Sequence, residues 1–484
     1  MGRVLLCTNH LQNLAGSEVV TIELVEHFLE RGWHVDVYTN LLGEPVTSEL
    51  LALPSWGRLR VVEASPEEAF DDEYDLIWVQ HSLFPPSFVD RLVSGVHAPV
   101  VWHHLSSFMN IEMPILADIE RSIASVSSSM STEGLDALAR FGLDAERFVL
   151  FDNPAPDRFA DHPMPGEATG LARLLIVSNH PPAEMVDAAS ALRSRGVLAD
   201  VLGDVVGSTP RRISPEILAG YDAVVTIGKT VPAALSMGLP VYAYDHFGGC
   251  GWLGADNLDR EAAGTFAGRL TESRRTAEAI ADEIVSGYPA AAAWARDARA
   301  SNAERWRLSA RISAILADPR LHRDQPARID PAALERYRAF IALHGDLFRL
   351  AKNLETTLRT TRAELEHERV RAADLERDAA VARAVAAEAD RRAEQARRVL
   401  DARAARSQET EASRRRLLAV LGSRTWQIRG ALGIGRGGSE VTPARVLDMS
   451  GGELHAAASD LDRSRWLRMA RRLRRRRTHR PQSP

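Results

Sequence analysis

YDAVVTIGKTVPAALSMGLPVYAYDHFGGCGWL, residues 221 to 253, holds two short apolar, β-branched runs, Ala223 to Ile227 and Pro240 to Ala243, on either side of a helix-length stretch from Val231 to Met237. The runs close on Gly228 and on Asp245 to Gly249. Apolar runs bounded by turn residues read as buried strands, and the helix between them makes this a βαβ unit of a parallel sheet. Ligands of such sheets lie outside the carboxyl ends of the strands, so both closing turns are expected to face one cleft. Gly228, Lys229 and Thr230 also open the helix, where free N–H groups attract phosphate. The GKT string is no P-loop, because the upstream glycine with four intervening residues is missing. Lys229 is one of only two lysines, the other being Lys352. Its ordinary alternative is a surface cation in an arginine-biased chain.

The same alternation extends in both directions. Strand patterns RVLLCT, HVDVYT, LRVV, DLIWVQH, PVVWHH and RFVLF run from Arg3 to Phe151, with the clearest helix over Glu18 to Arg31. A Pro- and Gly-rich linker, Pro154 to Gly170, marks a domain boundary. A second α/β run starts at RLLIVSNH, continues through VLADVLGD, and ends in helical patterns from about Ser273 to Leu316 that pack back across the cleft. The expected fold is therefore α/β: a Rossmann-like domain over 1–160, a second over 171–318 with a return helix, a helical coiled coil over 330–420, and a Trp- and Arg-rich tail over 421–484.

From Leu347 to Leu400 there is no Gly or Pro, and Ala, Arg and Glu dominate. Leu358, Leu365, Ala372, Ala379, Ala386, Ala393 and Leu400 form one heptad row. Leu354, Thr361, Glu368, Leu375, Ala382, Ala389 and Ala396 form the other, an a/d seam with two polar interruptions. This predicts a coiled coil that pairs with a second copy or a partner transferase, the alternative being a single solvated helix. As one straight helix of some 55 residues at 1.5 Å each it would reach about 80 Å.

The net charge of −5 over 484 residues hides an asymmetry: Arg463 to Arg480 carries ten arginines and no acid, leaving 50 basic against 65 acidic residues elsewhere. Trp466, Leu467, Met469 and Leu473 interleave with those arginines, the composition of a helix lying on an anionic membrane surface. A solvated basic tail and an RNA-binding tail are the alternatives. Two cysteines, Cys7 and Cys250, exclude a disulfide framework and a cysteine metal cluster. The N-terminal apolar run is too short for a signal peptide, and no window reaches the length of a spanning helix. A cytoplasmic protein, peripheral at the inner face of the plasma membrane, is expected.

The loop after the first strand, TNHLQNLAGSEVV, sets Gly16, Ser17 and Glu18 at a helix start whose backbone amides suit a diphosphate. An ordinary capped helix start is the simpler reading of Gly16 and Ser17. AGSE at 15–18, DNP at 152–154, AALSMGLPV at 233–241 and DHFGG at 245–249 together resemble the motifs of GT-B glycosyltransferases that build bacterial surface glycans, over residues 3 to about 316. The Ala-x-x-x-Gly-x-Pro-Val pattern with its Gly-Gly loop is the most specific of the four.

That resemblance implies transfer of a sugar from a nucleotide diphosphate sugar to a glycan or lipid-linked acceptor, with no metal and no cofactor beyond the co-substrate. It implies donor contacts at Gly16, Ser17, Glu18, Ser178, Asn179, Gly228, Lys229, Thr230, Asp245, His246, Phe247, Gly248 and Gly249. The chain also departs from the family. Val225 and Ala233 stand where a Glu, seven residues, Glu pair is usual, and VSNHPPAE at 177–184 lacks the Arg and Lys that clamp the diphosphate. Lys229 is the substitute expected. His81, which ends DLIWVQH, and His103 and His104, which end PVVWHH, are the candidate acid/base groups, expected to project from strand ends into the cleft. Their ordinary alternative is local hydrogen bonding. A tail element, SRTWQIRGALG at 423–433, resembles a Ser-x-x-Trp element of polysaccharide transferases without its Pro-Leu-Arg. Two functions follow: a glycosyltransferase, or a catalytically silent scaffold that binds a partner transferase through its coil.

Overall fold

The computed structural model describes residues 2–421, apart from 65–69, 71–72, 82, 108–112, 115, 165, 167–169, 204–210, 323–324 and 383–388, together with 450, 452–454 and 456. Two compact units are present, 1–342 and 343–484.

In the first unit, β1 (Arg3–Leu11), β2 (His34–Leu42), β3 (Leu59–Glu63), β4 (Leu76–Gln80), β5 (Val100–His104), β6 (Val126–Ser129) and β7 (Phe148–Leu150) form one sheet in the order β3-β2-β1-β4-β5-β6-β7. Every pair in it is parallel. A second sheet holds β8 (Arg173–Val177), β9 (Leu198–Leu202), β10 (Ala223–Thr226), β11 (Val241–Asp245) and β12 (Gly248–Trp252) in the order β12-β11-β10-β8-β9. Strand order reverses between β1 and β4 and again between β8 and β10. Those two reversals are where a doubly wound sheet opens a crevice for ligand.

The strands are as apolar as burial on both faces requires. Val4, Leu6, Val35, Val37 and Trp78 fill one face of the first sheet, and Leu5, Cys7, Ile77, Val79 and Trp102 the other. The Leu308–Leu316 helix returns from the second sheet to the first, adding Leu308, Ile312 and Ile315 to the first sheet's core. The chain crosses the linker beside it, where Ala155 exchanges backbone hydrogen bonds with Trp306 and Leu308.

Two strands depart from the sequence reading. β6 is VSSS, a serine run without apolar signal, yet its residues are buried. β12 pairs antiparallel with β11, so DHFGG is not an open glycine loop but a tight hairpin in which Asp245 registers with Gly248. The second sheet thus carries an antiparallel edge on an otherwise parallel frame.

The Pro331–Ala382 helix starts within the first unit. Ala333, Tyr337 and Ile341 join the core that contains Phe84, Phe88 and Trp102, and Arg338 pairs with Asp90 at 2.6 Å. The stretch read as a coiled coil holds two helices, Pro331–Ala382 and Ala389–Leu421, and not one straight helix. Arg403 lies 3.4 Å from Glu368, a contact that one continuous helix cannot make across 35 residues, so the two run antiparallel. Two heptads back from Glu368 and two on from Arg403, Leu354 and Leu417 share a register, and both are buried. The side chains of the Ala-rich centre, and the stretches 423–433 and 463–480 read as membrane elements, lie outside the described residues.

Spin labels at Glu368→Cys and Arg403→Cys are expected to give an intrachain distance below half of the roughly 50 Å that 35 residues of straight helix would span, read by double electron–electron resonance.

Candidate functional site

At the β8/β10 reversal a cavity of about 360 Å³ opens between the two sheets. Val177, Ser178 and Asn179 reach it from the end of β8, Thr226 and Ile227 from β10, and Asp245 and His246 from β11. Leu14, Ala15, Gly16 and Glu23 close it from the first sheet's side. Of the expected donor contacts, Gly16, Ser178, Asn179, Lys229, Thr230, Asp245 and His246 therefore meet at one place.

Gly16 opens the Gly16–Glu30 helix with Ala15 as N-cap. A Cβ at Gly16 would meet nothing within 4 Å, and its φ is not positive. Neither backbone strain nor packing demands glycine there, which leaves room at the cavity as its consequence. Ser17 and Glu18 do not line the cavity. Ser17 Oγ donates to Glu18 Oε2 at 2.8 Å and lies 3.2 Å from His10 Nε2, so it is not the cap its position suggested.

Lys229 is no surface cation. Its ammonium pairs with Glu23 Oε2 at 2.5 Å and donates to the Pro154 carbonyl. Burial pushes the Glu23 carboxyl up, and Lys229 opposes that shift. Glu26, one helical turn on, takes Arg158 at 2.8 Å and Arg212 at 2.5 Å. Arg212 also reaches Glu49 at 3.4 Å. The Gly228 amide is committed to the Thr265 carbonyl, and the helix after it, Thr230–Ser236, is only seven residues long. The cationic character of this site therefore comes from side chains. Arg211 and Arg212 line the cavity beside Lys229, and neither belongs to a recognisable motif.

Asp245 is buried at the end of β11. Its Oδ1 accepts the His246 amide at 2.8 Å, and its Oδ2 accepts the Ser178 hydroxyl at 3.3 Å. Desolvation raises its carboxyl above the ordinary aspartate range. Ala233 lines the same cavity, so the position lacking a carboxylate does face the site.

Phe247, Gly248 and Gly249 do not line the cavity. Gly248 has φ +85, and a Cβ on it would come within 2.4 Å of the Ser273 carbonyl oxygen. A Cβ on Gly249 would sit 1.9 Å from the Ala243 carbonyl oxygen. The glycine pair is there because the β11–β12 hairpin leaves no space, and the expected ligand contact is corrected accordingly.

The three predicted histidines are corrected too. His103 lies inside β5, fully buried, with Nδ1 2.8 Å from Ser128 Oγ and its ring edge-on to Trp78 and Phe151. His104 Nε2 contacts both oxygens of buried Glu120, at 3.1 and 3.2 Å, and Ser127 donates to the same carboxylate. His81 follows β4 with φ 56; its Nδ1 accepts the Asn9 amide at 3.2 Å, and Thr8 Oγ1 lies 3.1 Å away. They hold the sheet rather than enter the cavity.

The histidine that sequence reading passed over is His10. It is the last residue but one of β1, at the first reversal, 5.2 Å ring to ring from His81, with Nε2 3.3 Å from Glu18 Oε1. Glu18 is buried and His10 partly exposed. A buried carboxylate beside a largely buried imidazole orients the ring, and its place at the first reversal makes it a candidate proton acceptor. The strand runs on past the RVLLCT pattern to Leu11, so His10, six residues before Gly16, belongs to β1 and not to the loop.

No family model matches this chain, and no curated protein matches it by sequence. Among solved structures, the chain is similar to the following at low identity. HepE of Anabaena in complex with UDP and glucose is 15% identical with a TM-score of 0.44, covering 65% of this chain and 98% of that one. WaaB, a lipopolysaccharide outer core galactosyltransferase, is 12% identical (TM-score 0.41; 65% and 98%), and WaaG, a glycosyltransferase involved in lipopolysaccharide biosynthesis, is 14% identical (TM-score 0.41; 65% and 99%). On its own topology the chain is a tandem pair of Rossmann-like sheets sharing one cleft, with a helix returning to the first. That is the GT-B architecture.

Gly249→Ala is expected to lower unfolding free energy by about 3 kcal/mol, the upper end of the cost of overpacking, because both nearest atoms are backbone. Chemical denaturation without ligand measures it.

Proposed function

We propose that this chain is a glycosyltransferase that takes a sugar from a nucleoside diphosphate sugar bound in the cleft between its two sheets. The observation that carries the reading is the cavity at the β8/β10 reversal, where Lys229, Arg211 and Arg212 converge opposite the open start of the Gly16–Glu30 helix. Three cations and a helix N-terminus are the groups that neutralise a leaving diphosphate without metal. Gly16 lets the phosphates approach the backbone.

His10 Nε2 lies 3.3 Å from Glu18 Oε1 and 3.2 Å from Ser17 Oγ, the residues that follow Gly16 of the cavity wall along the helix. In this reading it removes the proton from an acceptor hydroxyl that enters from the first sheet's side, as the transferred sugar leaves its diphosphate. The acceptor we assign is a surface glycan or its lipid-linked precursor, with the basic stretch 463–480 bringing the enzyme to an anionic membrane. Among the described residues, no helix is long and apolar enough to cross a membrane. Ala233 supports the second reading, a catalytically silent scaffold that binds a partner transferase through its coil, since the usual carboxylate is absent from a wall of the cavity.

A panel of UDP-, GDP-, ADP- and dTDP-sugars is expected to include one that raises the melting temperature, by up to a few kcal/mol of stabilisation at saturating concentration. Gly16→Val is expected to weaken that ligand by about 1.4 kcal/mol, a factor of about ten, with an unchanged melting temperature in its absence. His10→Ala is expected to bind the donor as the parent does and to release nucleoside diphosphate about 10²–10⁴-fold more slowly. A donor that binds and is turned over by the parent overturns the scaffold; no shift with any donor overturns the transferase.

A further inference from the structure

The proposed donor site contains an internal competitor. Lys229, the cation at the head of the Thr230–Ser236 helix, offers three N–H donors, and Glu23 and the Pro154 carbonyl already engage it. Glu23 comes from the opposite sheet's Gly16–Glu30 helix, is buried, and itself lines the cavity. A phosphate reaching Lys229 would arrive beside this carboxylate, and two anions cannot share one buried ammonium without repulsion. We propose that Glu23 is a specificity residue that stands in for phosphate on Lys229, so that only a ligand bringing a strong anion to that ammonium displaces it. The inference rests on the donor reading given above.

Neighbouring charges fit displacement rather than co-binding. The partners that stay with the helix after Glu23 lets go are those of Glu26, which takes Arg158 and Arg212 at its own two oxygens. Losing Lys229 therefore leaves the two sheets tied. It also leaves Glu23 in a buried place whose desolvation already raises its carboxyl, against the lowering by Lys229 and Arg158. With the ligand's charge now cancelling Lys229, the carboxyl is pushed further in the direction burial already drives it, towards its protonated form. The other groups bearing on this exchange are Glu26 and Arg212, near Glu23, and His180, Asp245 and His246, which line the same cavity. Comparing variants at position 23 alone separates its proton from theirs.

The test titrates the full chain and its Glu23→Gln and Glu23→Asp variants with UDP, GDP, ADP, dTDP and inorganic pyrophosphate, by calorimetry in two buffers of different ionisation enthalpy. Glu23→Gln is expected to bind pyrophosphate and the preferred nucleoside diphosphate about tenfold more tightly than the parent, within the usual range of coupling between sites. The parent is expected to take up more protons on binding than the Gln variant does. Glu23→Asp, which keeps the charge but shortens its reach, falls between them and serves should the Gln variant not fold. Equal or weaker nucleotide binding by both variants, with equal proton uptake, overturns the inference and leaves the donor reading standing, since Glu23 would then orient Lys229 for the ligand. Tighter pyrophosphate binding with no nucleotide bound sustains the competition and overturns the donor reading. Binding of nothing by any of the three proteins overturns both.

Discussion

Glu23 and Glu26 stand one turn apart on a single helix face, and between them they hold Lys229, Arg158 and Arg212. Everything else about the cleft depends on this face. Two Rossmann-like sheets joined by a linker and one returning helix have no large shared core, and here the β1 side meets the β8 side through ion pairs largely removed from water. Such pairs are costly to strip of one partner and easy to exchange for another anion of like geometry. A second tie, Arg269 to Glu133 at 2.6 Å and to Ser107 at 3.1 Å, repeats the device elsewhere on the two sheets. The first sheet supplies the acids in each case, and the second sheet or the linker supplies the bases.

That division of charge gives the site its chemistry. The reversal between β8 and β10 gathers cations, whereas the reversal between β1 and β4 gathers His10, His81, Thr8, Asn9 and Glu18. The cations and the histidine cluster thus sit at separate switch points of the two sheets. Each is set by where a parallel sheet changes winding direction, a property of strand order that no single motif encodes.

How much of this was legible in sequence depended on whether an element carried its own signal. β1, β2, β4, β5 and the β10–β11 unit are apolar runs with turn residues after them, and they are where the pattern put them. β6 was invisible because its buried residues are serines, which answer to His103 and Glu120 rather than to a hydrophobic face. β12 was invisible because its glycines read as a loop, when they are small to fit against Ala243 and Ser273. The histidine choice failed for a related reason. A strand end in sequence is ambiguous by a residue or two, and His103 and His104 belong to the paired part of β5, where a polar ring must find partners inside. Arg211, Arg212 and Glu23 had no motif at all; only the folded geometry brings them to Lys229. The helical reversal was equally unmarked, since no Gly or Pro lies between Leu347 and Leu400.

The absent carboxylate at position 233 and the present one at position 23 bear on each other. Both residues line the same cavity, one from each sheet. With alanine in the second sheet, that side of the site keeps Asp245 as its acid among the cavity-lining residues, and Asp245 is already engaged by Ser178 and the His246 amide. The negative charge that balances Lys229 comes instead from the first sheet, across the cleft. A carboxylate at position 233 would sit beside the cations on the same sheet, whereas Glu23 reaches Lys229 from the helix that follows β1, so the charge balance of this site depends on the packing of one sheet's side against the other.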